Sequence, residues 1–222
     1  MSYRSNKKEP VTREEIIKLN DLITRINFKI PELWDPAFLE ALPRSQQPEQ
    51  TKNKPTNQQA TDQLKSELIQ LTNLKPQERG FAFEKFLNHL FAAYNLDPRS
   101  SFRIIGEQID GSFQIGSDVY LVEAKWHDKP TDQADLLVFH GKIGGKSTWS
   151  RGLFVSYNGF SEDGLLAFSK GRQINMIGMT SADLYHILNG EMSLIDAVNL
   201  KARRAAETGE FFVSVFDLSK GS

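Results

Sequence analysis

The chain has 222 residues, no cysteine, 39% hydrophobic residues, and 27 basic side chains nearly balanced by 28 acidic ones. That length and apolar content bury one good core with a small extra element, and the missing thiols exclude disulfide scaffolds, thiolate metal sites and cysteine nucleophiles. A net charge of −1 gives no global signal for nucleic acid, which leaves local patches to carry any such binding.

The opening MSYRSNKKEP lacks the apolar core of a signal peptide, and no run approaches the roughly 18 apolar residues of a membrane span. The expectation is a soluble, cytoplasmic protein with no membrane contact. Thr12 followed by Glu15 has capping-box spacing, and Ile16, Leu19, Ile23 and Ile26 then recur at helical intervals, which predicts an amphipathic helix. A turn and a short second helix follow in IPELWDPAFLEALP. The stretch from Pro43 to Thr61 is rich in Gln, Asn, Pro and Lys, and such a segment cannot repay its ordering entropy by burial. Residues 1–42 therefore read as an N-terminal helical arm, 43–61 as a flexible linker and 62–222 as the main domain.

That domain opens with two helical patterns. Leu64, Leu68 and Leu71 share one face; Phe83, Phe86, Leu87, Leu90, Phe91 and Tyr94 form a second stripe, with Glu84 at its edge. After Asp97-Pro98 the period changes to that of strands in SFRIIG, IDGSFQIG and DVYLVEAKW, the last two joined by a tight hairpin at Gly116-Ser117. A helix over TDQADLLVFHGKI ends near Gly144-Gly145, and the apolar RGLFVSYNGF reads as a central buried strand. SEDGLLAFSK is a helix capped by Ser161, INMIGMT a strand, and SADLYHIL and SLIDAVNLKARRAAET helices; FFVSVFDL reads as a final edge strand or dimer contact. The order predicts an α/β domain with an antiparallel meander on one side and a crossover-linked portion on the other.

Residues two apart on a strand share a face, so Glu123 and Lys125 project together from the end of DVYLVEAKW. Pairing through Gly116-Ser117 sets Asp110 opposite residue 123, give or take one or two, and Glu84 can approach from the packed helix. Most Glu–Lys pairs on strands are exposed and worth little. Here Glu123-Ala124-Lys125 is the only acid-x-Lys triplet in the chain, and it ends the apolar run Val119 to Val122. Two hard carboxylates can bind Mg²⁺ and leave room for water and a phosphate oxygen, while a neighbouring lysine orients the water and stabilises developing charge. His89, His127, His140 and His186 are scattered without ligand-like spacing.

Asp110, then Glu123-x-Lys125, preceded by GFAFEKFL and followed by RGLFVSYNGFS, resembles the restriction-endonuclease-like superfamily of PD-(D/E)xK nucleases, and within it the Mrr-type catalytic domain, over roughly Gln77 to Leu188. The resemblance implies a central mixed sheet flanked by helices and a Mg²⁺-dependent endodeoxyribonuclease, with Mn²⁺ able to substitute, in prokaryotic defence. It implies Asp110, Glu123 and the Ala124 carbonyl as metal ligands, Lys125 as catalytic lysine, Glu84 as accessory acid and Gln133 as a further site residue. Ile109 stands where the nominal signature has proline.

The Gly/Lys segment GKIGGKSTW offers Lys142 and Lys146, with Arg151 beyond it, as phosphate contacts; the same residues could simply solubilise a loop. Trp126 reads as packing, and KARRAAE as a solvated helix face. Cutting both strands of DNA calls for two sites, so a homodimer or higher homo-oligomer is expected, or a partner subunit docked on the apolar face of the arm. Two alternatives stay open: an inactive nuclease fold used for nucleic-acid binding or assembly, and a DNA-repair or junction nuclease.

Overall fold

The computed structural model describes residues 11–24, 29–43, 58–104, 106–169 and 174–220. The chain divides into two compact units, Met1–Thr51 and Lys52–Ser222. In the first, α1 (Arg13–Thr24) is followed by a 3₁₀ turn (Pro31–Trp34) and α2 (Pro36–Ala41). The Thr12 amide donates to Glu15 Oε2 at 3.1 Å, as the capping-box spacing implies. Ile16 is buried and Leu19 is 40% exposed, whereas Ile26 lies outside the described residues. Buried Asn20 ties α1 to the 3₁₀ turn by donating to the Leu33 carbonyl at 2.7 Å. Of the expected linker, residues 44–57 lie outside the described residues, and 58–61 already belong to α3 (Gln58–Leu71). The helix starts early because Thr61 extends the buried stripe of Leu64, Leu68 and Leu71 by one turn.

The second unit continues with α4 (Pro76–Ala93), β1 (Arg99–Ile104), β2 (Glu107–Ile115), β3 (Asp118–Lys125), α5 (Gln133–Gly144), β4 (Ser150–Ser156), α6 (Glu162–Ser169), β5 (Met176–Thr180), α7 (Ser181–Leu188), α8 (Leu194–Thr208) and α9 (Val215–Lys220). The five strands form one mixed sheet in the order β1-β2-β3-β4-β5, antiparallel from β1 to β3 and parallel from β3 to β5. Ile115 pairs with Asp118, so the β2–β3 loop has two residues, and Gly116 supplies the positive φ of 59° such a loop demands. The parallel pairs need crossovers, which α5 and α6 provide.

Alternation along β3 sorts its side chains between two cores. Tyr120 and Val122 join the stripes of α3, α4, α7 and α8, while Leu121 joins Leu136, Phe139 and Ile143 of α5. Glu123 follows Leu121 on the α5 face by the same alternation. Gly152 on β4 lets α5 approach closely: a Cβ there would lie 2.1 Å from Ile143 Cδ1 and 2.7 Å from Met176 Cβ.

Two expectations fail in this unit. FFVSVFDL is not a strand: Phe211 gives β5 a single backbone bond, accepting from Gly178 N at 2.9 Å, and the chain then turns into α9. Ser214 makes the difference, since its hydroxyl caps α9 by accepting from Asp217 N at 3.0 Å. KARRAAE is not wholly solvated either. Lys201 is 2% exposed and its ammonium meets Asp183 Oδ2 at 3.0 Å, while Asp183 also accepts from Thr180 N and Val215 N. That buried pair knits the start of α7 to α8 and α9.

Candidate active site

The rim of the sheet where β3 ends carries the residues singled out above. The pairing of β2 with β3 runs to Gly111 and Val122, which makes Asp110 and Glu123 the next positions in register. There Asp110 Oδ2 accepts from the Ala124 amide at 3.0 Å, so the carboxylate is locked onto the neighbouring strand one residue from the expected partner. Glu123 is 5% exposed and each of its oxygens meets an ammonium: Lys125 at 3.3 Å on Oε1, Lys142 at 2.8 Å on Oε2. Glu84 comes from α4, whose stripe leaves it half-buried as its edge position implies. Glu84, Asp110, Glu123, Ala124 and Lys125 line one open cleft of roughly 400 Å³ together with Gln108, Trp126 and Lys142. Glu84 and Asp110 also line a second cleft, of roughly 750 Å³, along Phe81, Asn88 and Ser100. The carboxylates thus stand where two open clefts meet.

Crowding of acids has an electrostatic signature. Burial, then the charges of Asp110 and Glu123, push the Glu84 carboxyl up to about 7 from 4.5, against a smaller opposing pull from Lys125. Asp110 is also raised by burial, partly offset by the amide bond from Ala124. Carboxyls raised in this way, first by burial and then by like charge, cluster at functional sites. Among the described residues no group of three or more His, Asp or Glu is arranged as a metal site. The donor chemistry nonetheless suits a hard divalent cation, because Mg²⁺ is commonly held by one or two carboxylates with water and phosphate filling the rest. Asp110, Glu123 and the Ala124 carbonyl could hold one.

Trp126 lines the cleft and is braced from behind by other aromatic rings. Trp126 stacks on Tyr157 at 3.5 Å and packs edge-on against Phe83 at 5.1 Å, as a packing residue should. Arg79 lies over its ring at 5.3 Å and pairs with Asp128 at 3.1 Å.

Other expected residues are placed elsewhere. Gln133 stands at the first position of α5, exposed, and does not line the cleft. Lys142, which falls within the helix read over TDQADLLVFHGKI and also in the Gly/Lys segment, occupies the last turn of α5, inside the cleft, and not a solubilised loop. Its signal was available: it neighbours buried Ile143 at the edge of the Leu136-Phe139-Ile143 stripe, as Glu84 neighbours Phe83. Lys146 and Arg151 line a separate hollow with Tyr120 and Met176. Lys146 pairs with Glu107 at 2.6 Å, and Arg151 lies 3.8 Å from Asp118.

Fold and cleft together define a mixed α/β sheet protein with an acidic, lysine-braced site at its rim. The model of a family described as restriction endonuclease, the Mrr catalytic domain, matches residues 77–187, half of the chain, and the chain belongs to that family. No curated protein matches. Among solved structures, a protein of unknown function, AF1548, is similar at 12% identity and a TM-score of 0.36, over 64% of this chain and 98% of that one. The MspJI restriction endonuclease in complex with a 27-mer oligonucleotide is similar at 13% identity and a TM-score of 0.39, over 82% of this chain and 44% of that one. Among the described residues, no helix is long and apolar enough to cross a membrane.

Proposed function

We propose that the protein is a Mg²⁺-dependent endonuclease that hydrolyses phosphodiester bonds in DNA and serves prokaryotic defence, in the cytoplasm. The observation that carries this reading is the bond from the Ala124 amide to Asp110 Oδ2, which sets Asp110 beside Glu123 and Lys125 at one cleft. When bound, the divalent cation supplies Lewis-acid polarisation of the phosphate and a more acidic water. The side chains do the rest. Asp110 and Glu123, with the Ala124 carbonyl, present oxygen ligands; Lys125 faces the phosphate and stabilises charge that develops on its oxygens. Glu84, whose carboxyl titrates near neutrality, is placed to exchange a proton with water in the cleft. Lys146 and Arg151 contact backbone phosphates outside the cleft, exchanging Glu107 and Asp118 for the nucleic acid. Gln133, exposed at the first position of α5 and outside the cleft, is retained as a further site residue on the family pattern alone.

We further propose the division into an arm (1–42), a linker from 43 that ends where α3 begins at Gln58 and not at 61, and a nuclease domain from there to 222, with the arm docking a second copy. Ile17 and Leu19 of α1 are 49% and 40% exposed within their unit and supply the apolar contact. Unchanged mass in solution after deletion of residues 1–60 refutes that role.

The test of the function uses supercoiled plasmid with Mg²⁺, Mn²⁺ or EDTA, and the variants Asp110→Asn and Lys125→Ala. Linearised plasmid that requires metal and disappears in both variants, with rates down by at least about 10²-fold, is the expected result. Cleavage that survives in both variants refutes the site. Binding with a steep salt slope but no cutting favours an inactive binding module, and preference for branched substrates favours a junction nuclease.

A further inference from the structure

Lys142 has a geometry that solubilisation does not explain. Its ammonium donates to Glu123 Oε2 at 2.8 Å and to the Gln108 carbonyl at 3.0 Å, from a helix that packs on the Glu123 face of the sheet. Its side chain is 17% exposed, so the charge is largely withdrawn from water. Lys125 also meets Glu123, at 3.3 Å, but it belongs to the same strand and travels with it. Lys142 comes from another element and grips two strands at once: β3 through the Glu123 carboxylate, and β2 through the backbone two residues before Asp110. An ammonium has three N–H donors, and this one spends two of them on bonds that span the gap between the strands carrying the two central carboxylates.

We propose that Lys142 is a positioning residue. It clamps Glu123 and the Gln108 end of β2 at the spacing the cleft needs, and with Lys125 it is a resident positive charge with which an incoming divalent cation must share Glu123. The metal half of this inference rests on the reading of Asp110 and Glu123 as ligands; the clamp does not.

The two halves predict effects of opposite sign. Three carboxylates, Glu84, Asp110 and Glu123, face two ammoniums in the cleft. Removing one ammonium deepens the negative potential and strengthens cation binding, because a unit charge a few ångströms away in a partly buried site shifts binding by about tenfold or more. The same removal frees Glu123 to leave the geometry in which it works, and slows cleavage. A side chain that only supports the fold lowers both quantities together or neither.

The full-length chain is compared with Lys142→Met and Lys142→Arg. Calorimetry with Mn²⁺ alone, without DNA, should show Lys142→Met binding about tenfold tighter, while its single-turnover cleavage rate at saturating Mn²⁺ falls by about tenfold or more. Lys142→Arg should keep Mn²⁺ affinity within about threefold of wild type and recover part of the rate, since it retains the charge but not the point geometry. Equal or weaker Mn²⁺ binding by Lys142→Met overturns the proposal. If the wild type binds no Mn²⁺ and does not cut, the metal reading fails, and the clamp is then decided by thermal melts in EDTA. Lys142→Met should lower Tm by about 3–6 °C, and adding Glu123→Gln should cost less than the sum of the single losses. Additive losses refute the clamp.

Discussion

Replacing Glu84 with glutamine should stabilise the metal-free protein increasingly as pH rises above about 4.5, and in full above about 7. The Glu84 carboxyl is raised from 4.5 to about 7, chiefly by burial and then by Asp110 and Glu123. A carboxyl raised in the folded state costs nothing below its unfolded value. The cost grows as pH climbs from 4.5 through about 7, where the folded protein must accept a charge that the unfolded chain accepted earlier. The rise from 4.5 to about 7 corresponds to roughly 3.4 kcal/mol, before any allowance for solvent. Glu84 is only half-buried in an open cleft, so solvent screening reduces this to about 1–2 kcal/mol. For a chain of this length that is about 3–6 °C in Tm. Melting curves of the wild type and Glu84→Gln in EDTA should diverge by that amount at pH 8 and converge near pH 4.5. Curves separated equally at both pH values, or a variant that melts lower at pH 8, would refute the assignment of Glu84 to an acid-crowded cleft.

Lys201→Met should be among the most damaging single substitutions. It strands Asp183, which is 0% exposed, and costs about 3–5 kcal/mol by chemical denaturation, with Asp183→Asn restoring part of the loss. Gly152→Ala forces a Cβ to within 2.1 Å of Ile143 and should cost about 1–3 kcal/mol. Because Ile143 neighbours Lys142, the same substitution should also slow cleavage, which a plasmid assay at a temperature well below its Tm would detect.

The antiparallel meander and the meeting of Asp110 with β3 were legible because period-2 alternation and a tight hairpin narrow the register to within a residue or two, and Ile115 opposite Asp118 fixes it. Glu84 was legible because a helix stripe fixes the direction of every neighbour. Lys142 obeys the same rule, and its helix was legible too, yet the Gly/Lys segment around it read as phosphate contacts or a solubilised loop, and that hid its place in the cleft. The pairing of Lys201 with Asp183 had no local trace: the two lie on different helices, and the arginines beside Lys201 at 203 and 204 are those of a solvated face. FFVSVFDL misled through β-propensity, which a capping serine and the burial of Phe211 and Val215 overrode.

The Gly116-Ser117 turn lies at the opposite end of β2 and β3 from the cleft, some seven residues and roughly 20 Å away along the strands. A one-residue deletion inside either strand would shift Asp110 off the Ala124 amide, but residues added at the turn leave the strand pairing untouched. The hairpin tip is therefore a natural attachment point for an epitope, a fluorophore or a surface tether, through which the protein could be immobilised or watched with its cleft left open.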